Sequence, residues 1–349
     1  MDREKIIDLL RSEGVEQREL LGRAEKIRND TLGNDLYFRG LLEFSNVCEN
    51  DCLYCGIRRS NREIGRFSMT TDEILDATRI IYERGFRSMV LQSGERTDSE
   101  FVSLLERTLI DIKREYPDMG ITLSVGEQEP DVYRRFFEAG AHRYLLRIET
   151  SSPEHYGRLH PEEMSWEKRV GCLDNLKDIG YQVGTGVMIG STFQTIRNLA
   201  DDILFFRDRV DVDMVGMGPY IEHPNTPLGG RTIEYPDRKK RMSLALNMIA
   251  LLRLNMPDIN IASTTALQAL VEGGRTMGLK AGANVVMPLF TPEKYRTHYS
   301  LYNGKPYLDE TREGVICGIM EDARSAGMVP RLNEWGDSLH FFRRNRIEH

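Results

Sequence analysis

No run of about 18 apolar residues occurs in the 349-residue chain, so no stretch reads as a transmembrane helix. The opening Met1-Asp2-Arg3-Glu4-Lys5 lacks the basic start and apolar stretch of a secretory signal. A soluble, cytoplasmic protein is expected. Cysteine is scarce: five residues, too few and too unevenly placed for a disulfide scaffold. Positive charge is not in excess. The net charge is −7 with Lys and Arg scattered, which argues against a nucleic-acid partner, because backbone binding needs a concentrated basic surface. Internal repeats and low-complexity segments are also missing. What remains is an ordinary globular composition, 40% hydrophobic and 29% charged, with 30 Gly and 13 Pro. A chain this long buries a large core, either as one α/β barrel or as two smaller domains.

Up to about residue 36 the pattern is polar and helical, with Ile6, Leu9, Leu10, Leu20 and Leu21 at helical spacing, and it reads as an N-terminal helical cap. Short apolar or β-branched runs then alternate with amphipathic stretches. Strands are predicted over 39–44, 88–92, 121–125, 144–147, 182–188, 214–217, 259–262 and 284–287. Helices are predicted over 71–84, 100–115, 131–139, 166–179, 194–209 and 237–254. Gly85, Gly140 and Gly180 stand just past helix ends, where a left-handed residue is often required. Strands alternating with helices specify a parallel sheet, and eight repeats point to a closed (β/α)8 TIM-type barrel, although periodicity does not itself separate closure from an open sheet. The expected organisation is a single domain: cap 1–36, barrel 37–290 and a C-terminal extension 291–349.

Three of the cysteines form Cys48-x3-Cys52-x2-Cys55, just after the first predicted strand. Three thiolates in one loop hold three irons of a cubane cluster and leave the fourth iron open to an external chelate. Zinc is the competing reading. It needs a fourth ligand, no His lies nearby, and the next Cys stands at position 172. Tyr54, inside the motif, is placed to pack on an adenine or to join the core. Cys172, between Val170 and Leu173, reads as a buried small hydrophobe. His155, His160 and His298 read as surface or hydrogen-bonding residues rather than metal ligands.

This cysteine loop resembles that of the radical S-adenosylmethionine (SAM) superfamily. The resemblance implies that SAM's amino and carboxylate groups chelate the open iron of a [4Fe–4S] cluster, and that an external one-electron reductant drives cleavage to methionine and a 5′-deoxyadenosyl radical. Ser93-Gly94-Glu95 resembles the family's Gly-Gly-Glu segment at the SAM amino group, where a small-residue turn admits the backbone and the carboxylate accepts from an ammonium. Arg147 and Glu149 fall at the barrel mouth, where such active sites form, and Arg169 is placed to pair with the SAM carboxylate.

From about Phe38 to Lys305 the chain is most similar to the HydE-type [FeFe]-hydrogenase maturases. The matching stretches include Glu43-Phe44-Ser45-Asn46-Val47-Cys48, Leu91-Gln92-Ser93-Gly94-Glu95, Arg143-Tyr144-Leu145-Leu146-Arg147, Ala262-Ser263-Thr264-Thr265-Ala266 and Gly282-Ala283-Asn284-Val285-Val286-Met287-Pro288. That resemblance implies an organometallic iron substrate carrying cysteine, CO and cyanide, and other hydrogenase maturation proteins as partners. It also implies that Ser263, Thr264 and Thr265 hydrogen-bond the substrate, and that Arg147 or Arg296 holds its carboxylate. Three departures stand out. Ile148 occupies a position where the family pattern has His. The loop 190–195 lacks a Pro-Gly, and only Cys317 remains where some relatives carry a second cluster. A sibling acting on another small molecule is therefore an alternative, with Ile148 as its support. Methylornithine synthase is a rival, but its pattern has Arg near Gly216 and Asp near Thr265, and an unpaired buried lysine ammonium would be costly. Biotin synthase needs further cluster cysteines. A cluster-binding scaffold without catalysis is the non-enzyme alternative.

Overall fold

The computed structural model describes residues 1–231, 235–306 and 311–347. Seven parallel strands form one curled sheet, in chain order Gly40–Ser45, Ser88–Ser93, Gly120–Ser124, Ala141–Leu145, Gln182–Thr185, Met214–Val215 and Asn260–Ile261. An eighth strand, Val285–Val286, joins the two edges. On one side Asn284 N donates to Ile261 O (2.9 Å) and Ser263 N to Val285 O (2.9 Å). On the other, Arg39 N donates to Val286 O (3.0 Å) and Leu41 N to Pro288 O (2.8 Å). The ring is thus closed by main-chain hydrogen bonds, and each predicted strand has its counterpart. Barrel strands are covered on both faces, so they need continuous apolar runs rather than alternation. The first strand, buried at all six positions, meets that need.

The outer helices follow from amphipathic spacing and local caps. Thr71–Glu83 starts on a capping box between Thr70 and Glu73, and the backbone then turns through Gly85, Gly140 and Gly180 at φ +84°, +107° and +109°, as their positions predicted. Two predictions needed revision. The run 182–188 breaks after Thr185 and resumes as Met188–Ile189, and the helix predicted over 194–209 is α only from Ile196 to Leu204. It continues as a π-helix, Phe205–Val210, that buries Phe205, Phe206 and Val210.

The flanking segments fix what the barrel presents at each end. The leading helices Arg3–Leu10 and Gly14–Leu32 lie along the outer helix ring, where Gln17 Nε2 reaches Ser243 Oγ (2.6 Å) and Asn247 Oδ1 (2.8 Å). The chain beyond the eighth strand serves both ends of the barrel. Residues 298–305 form a strap over the cysteine loop: Gly56 N donates to Leu301 O (2.9 Å) and Asn46 Nδ2 to His298 O (2.6 Å). Residues 335–340 seal the opposite end, where Arg39 Nη2 (3.1 Å) and Asn260 Nδ2 (2.8 Å) both reach Gly336 O, and Arg143 Nη1 reaches Asp337 Oδ1 (2.6 Å). Residues 307–310 and 348–349 of the predicted extension lie outside the described residues.

Candidate active site at the barrel mouth

The loops that leave the carboxyl ends of the first four strands converge. The cysteine loop opens at buried Asn46, whose Nδ2 donates to Gly65 O (2.8 Å) and whose Oδ1 accepts from Phe67 N (2.8 Å). Asn61 Nδ2 ties the far side to Gly56 O at 2.6 Å. The three thiols face one another closely enough that their charges interact. Burial pushes Cys55 up to about 12, with the Cys48 charge next. Burial also raises Cys48, while the backbone amides of Asn50 and Glu95 pull it back down. Cys52 Sγ lies 3.8 Å from Met164 Sδ. Among the described residues no three His, Cys, Asp or Glu side chains converge on a single ion position.

Gly94 N donates to Ser45 O (3.0 Å), and Glu49 N to Glu95 O (2.9 Å), so the second-strand loop is laid against the first. A Cβ on Gly94 would stand 2.3 Å from Val47 O and 2.8 Å from Cys48 Cβ. Glycine is therefore needed for contact with the cysteine loop itself, in addition to any ligand. Ser93 Oγ is turned back to Gly94 O at 2.7 Å. Glu95 is half-buried, and desolvation raises its pKa against the lowering charge of Arg169; its Oε2 accepts from Glu127 N (2.8 Å) and lies 3.8 Å from Arg169 Nη2.

Arg169 is buried and acts as the junction of three loops. Its Nε meets Glu127 Oε1 (2.5 Å) and its Nη1 meets Arg147 O (2.7 Å), so its remaining Nη2 faces Glu95. Glu127, on the loop after the third strand, escaped the sequence reading. The signal was present: Gly126 at φ +81°, where a Cβ would strike the Glu95 side chain at 2.2 Å, marks a forced turn directly before it. Arg147 Nε and Glu149 Oε1 form an ion pair at 3.0 Å. Glu149 has φ +64°, an uncommon conformation for a residue with a side chain, and its buried Oε2 has no hydrogen-bond partner. Tyr156 contributes a second orphan, a buried hydroxyl in the field of Arg169, Glu127, Cys52 and Glu95.

Tyr54 sits against an apolar cluster of Leu159, Met188, Tyr220 and Leu228 and meets His160 edge-on, with its hydroxyl 3.4 Å from His160 Nε2. His155 and His160 are buried rather than at the surface; each accepts or donates locally, and burial pushes His160 down to about 3, leaving it neutral. Cys172 is buried and Cys317 exposed. On the seventh-strand side, Ser263 Oγ donates to Arg275 O (2.9 Å), Thr264 Oγ1 to Met217 O (3.2 Å), and Thr265 Oγ1 pairs with Tyr302 OH (2.9 Å). Arg296 stands apart from these in a buried group anchoring the strap: its Nε donates to Thr291 O (2.8 Å), and its charge acts on Glu43, which binds Lys305 Nζ through both oxygens at 2.6 Å. Ile148 belongs to the main apolar core with no exposed surface. The loop without Pro-Gly is closed instead by Gln194, which accepts from Gly190 N (2.6 Å) and donates to Met188 O (2.8 Å).

Residues 42–205 match the family model of the radical SAM superfamily. The [FeFe] hydrogenase maturase subunit HydE of Thermotoga maritima is 42% identical over 91% of this chain and 88% of its own. This chain belongs to the HydE family of radical SAM enzymes. Two further relatives of the HydE-family chain are less similar to it than the maturase is. The 3-methylornithine synthase of Methanosarcina barkeri is 28% identical over 94% of this chain and 89% of its own. The crystal structure of methylornithine synthase (PylB) superposes with a TM-score of 0.80 at 25% identity, covering 95% and 94% of the two chains. The HydE-family enzyme takes a [4Fe–4S] cluster and SAM as cofactors. The residues present fit both. Three thiols on one loop would hold three irons of such a cluster, and two buried polar atoms without a hydrogen-bond partner, Glu149 Oε2 and the Tyr156 hydroxyl, belong to groups that interact electrostatically with Cys55 and Cys52. Among the described residues no helix is long and apolar enough to cross a membrane.

Proposed function

We propose that this radical SAM enzyme acts in building the active-site cluster of [FeFe] hydrogenase, on a small cysteine-derived iron precursor bearing CO and cyanide. The observation that carries the reading is the 42% identity with the maturase over nine-tenths of the chain. The mouth chemistry agrees with it. The rival mutase reading lacks its charged anchors, since Gly216 and Thr265 occupy those positions and Thr265 is turned to Tyr302.

Bound together, the cluster and SAM supply a 5′-deoxyadenosyl radical by one-electron cleavage of the sulfonium. Cys48, Cys52 and Cys55 hold the cluster; Ser93, Gly94 and Glu95 receive the SAM amino group. Glu127 holds Arg169 in place so that the guanidinium braces Glu95 and the Arg147 carbonyl. Glu149 offers its free carboxylate oxygen to a SAM donor, and Tyr54 bounds the adenine side. Ser263, Thr264 and Thr265 receive the substrate, with Arg147 at its carboxylate; Arg296, tied to Thr291 O in the buried group under the strap, is too far from them to share it. The strap over residues 298–305 excludes water from this space and limits side reactions of a radical. The partners in this reading are an external one-electron reductant and other hydrogenase maturation proteins.

Adding the reconstituted protein to a maturation mixture that lacks only its HydE component tests the reading. Hydrogen production by apo-hydrogenase should appear with the wild type and not with Cys52→Ala. Deoxyadenosine formation without maturation would sink the substrate assignment and leave the radical SAM chemistry standing.

A further inference from the structure

Four arginines follow the third cysteine: Arg58, Arg59, Arg62 and Arg66. Arg58 pairs with Asp51 (2.6 Å) and Arg59 faces Glu163 (3.8 Å), while Arg62 is exposed. Arg66 is exposed as well but differs in its partners. Its Nη1 donates to Asn46 O (2.7 Å) and Ile57 O (2.7 Å), and its Nη2 to Arg58 O (2.5 Å) and Asn61 O (3.2 Å). Asn46 stands two residues before Cys48 and Ile57 two after Cys55, so one planar guanidinium joins the entry of the cysteine loop to its exit. Only a multi-donor fork can serve several carbonyls at once. Carbonyls neutralise no charge, and the charged groups that act on Arg66 are the Cys48 and Cys55 thiols and Arg62. Among the described residues no carboxylate pairs with it.

We propose that Arg66 is a positioning residue of the cluster site, clamping the cysteine loop and holding an uncompensated positive charge beside Cys48 and Cys55 that favours the reduced cluster. The electron comes from the external one-electron reductant and adds one negative charge to the cluster; no bond is made or broken in that step. Arg66 is exposed, so solvent screens its charge in part, but a cation fixed on the cysteine loop still stabilises the more negative state. The inference rests on the cofactor assignment, not on the substrate reading, and its readouts need no substrate.

The test compares wild type, Arg66→Lys, Arg66→Gln and the control Arg59→Gln as full-length reconstituted proteins. Iron and sulfide per chain are measured, together with the midpoint potential from EPR-monitored redox titration without SAM. At the wild-type midpoint, Arg66→Gln should show at least a tenfold lower ratio of reduced to oxidised cluster, about 59 mV for one electron. Arg66→Lys, which keeps the charge, should recover most of that ratio, and Arg59→Gln should match wild type. A wild-type potential in Arg66→Gln, or equal shifts in Lys and Gln, would overturn the proposal. Should neither Arg66 variant hold a cluster while Arg59→Gln does, Arg66 is a loop clamp alone and the electrostatic claim fails.

Discussion

Glu149 is a non-glycine residue at φ +64° with one carboxylate oxygen unsatisfied in a buried site. Such a conformation costs about 1–3 kcal/mol, and the surroundings hold it: Glu149 N donates to Gly186 O at 3.0 Å, and Gly186 has no room for a Cβ beside Gly216 O. Glu149→Gln should fold with a normal cluster yet bind SAM at least tenfold more weakly by equilibrium dialysis; undiminished affinity would remove Glu149 from the SAM cradle. Asp202 is a second buried carboxylate, on the helix behind this loop. It accepts from Ser151 N (2.7 Å) and Ser151 Oγ (2.6 Å), while its Oδ2 has no partner. Burial pushes it up to about 7, with the Asp201 and Glu149 charges adding to the rise and the Ser151 hydrogen bonds opposing it. The folded value lies above the unfolded one, so the native state binds the extra proton. The stability this confers is full below about pH 4 and is lost as pH climbs through 7. Asp202→Asn should escape that loss, and its unfolding free energy should gain on wild type by about 2 kcal/mol between pH 5 and 8. Parallel curves for the two proteins would refute it. Spacing alone singled out the three thiols; Glu95 was singled out by its resemblance to a family segment and Glu149 by its place at a strand end, and the structure brings these residues to one mouth. Glu127 was hidden because its partner, Arg169, lies 42 residues away in sequence.

Elements were legible wherever a local cause fixes them. Thr70 with Glu73 and the left-handed Gly85 bracket a helix whose ends the spacing predicted within a residue or two. The π-helix Phe205–Val210 was not legible: the extra residue per turn lets Phe205, Phe206 and Val210 all turn inward, and that demand comes from the core they fill. The strap was equally invisible, since its hold is nonlocal. Lys305 reaches Glu43 across 262 positions, and Tyr302 reaches Thr265. Gly56 shows how tightly strap and cysteine loop meet, because a Cβ there would lie 2.0 Å from Ser300 O. Gly56→Ala should lift the strap, leaving circular dichroism unchanged while the cluster bleaches several-fold faster in air. At Gly94 the same argument applies to the opposite face of the loop. Gly94→Ala should at least halve iron incorporation without changing the melting profile of the apo-protein, and full incorporation would contradict the close approach to Val47 O.

The molecule as a whole is a closed ring whose floor is supplied by the far end of the chain. The sequence conveyed the ring, because eight apolar runs must be buried together, but offered nothing on where the extension would go. The floor is built from charge. Arg143 is fully buried, bonded to Asp337 Oδ1 (2.6 Å), Thr122 Oγ1 (2.9 Å) and Ser88 Oγ (2.6 Å), and Arg39 lies buried beside it. Asp337→Ala would leave both cations without a carboxylate and should cost about 3–5 kcal/mol in urea unfolding; a loss below 1 kcal/mol would show that water reaches them. Residues 335–340 close the amino end of the barrel among the described residues, so the mouth is the door that reactants share. Two reactants that share one door enter in series, and the one seated deeper must arrive first and depart last. Steady-state kinetics should therefore follow a compulsory order, in which the outer ligand traps the inner one and slows its exchange.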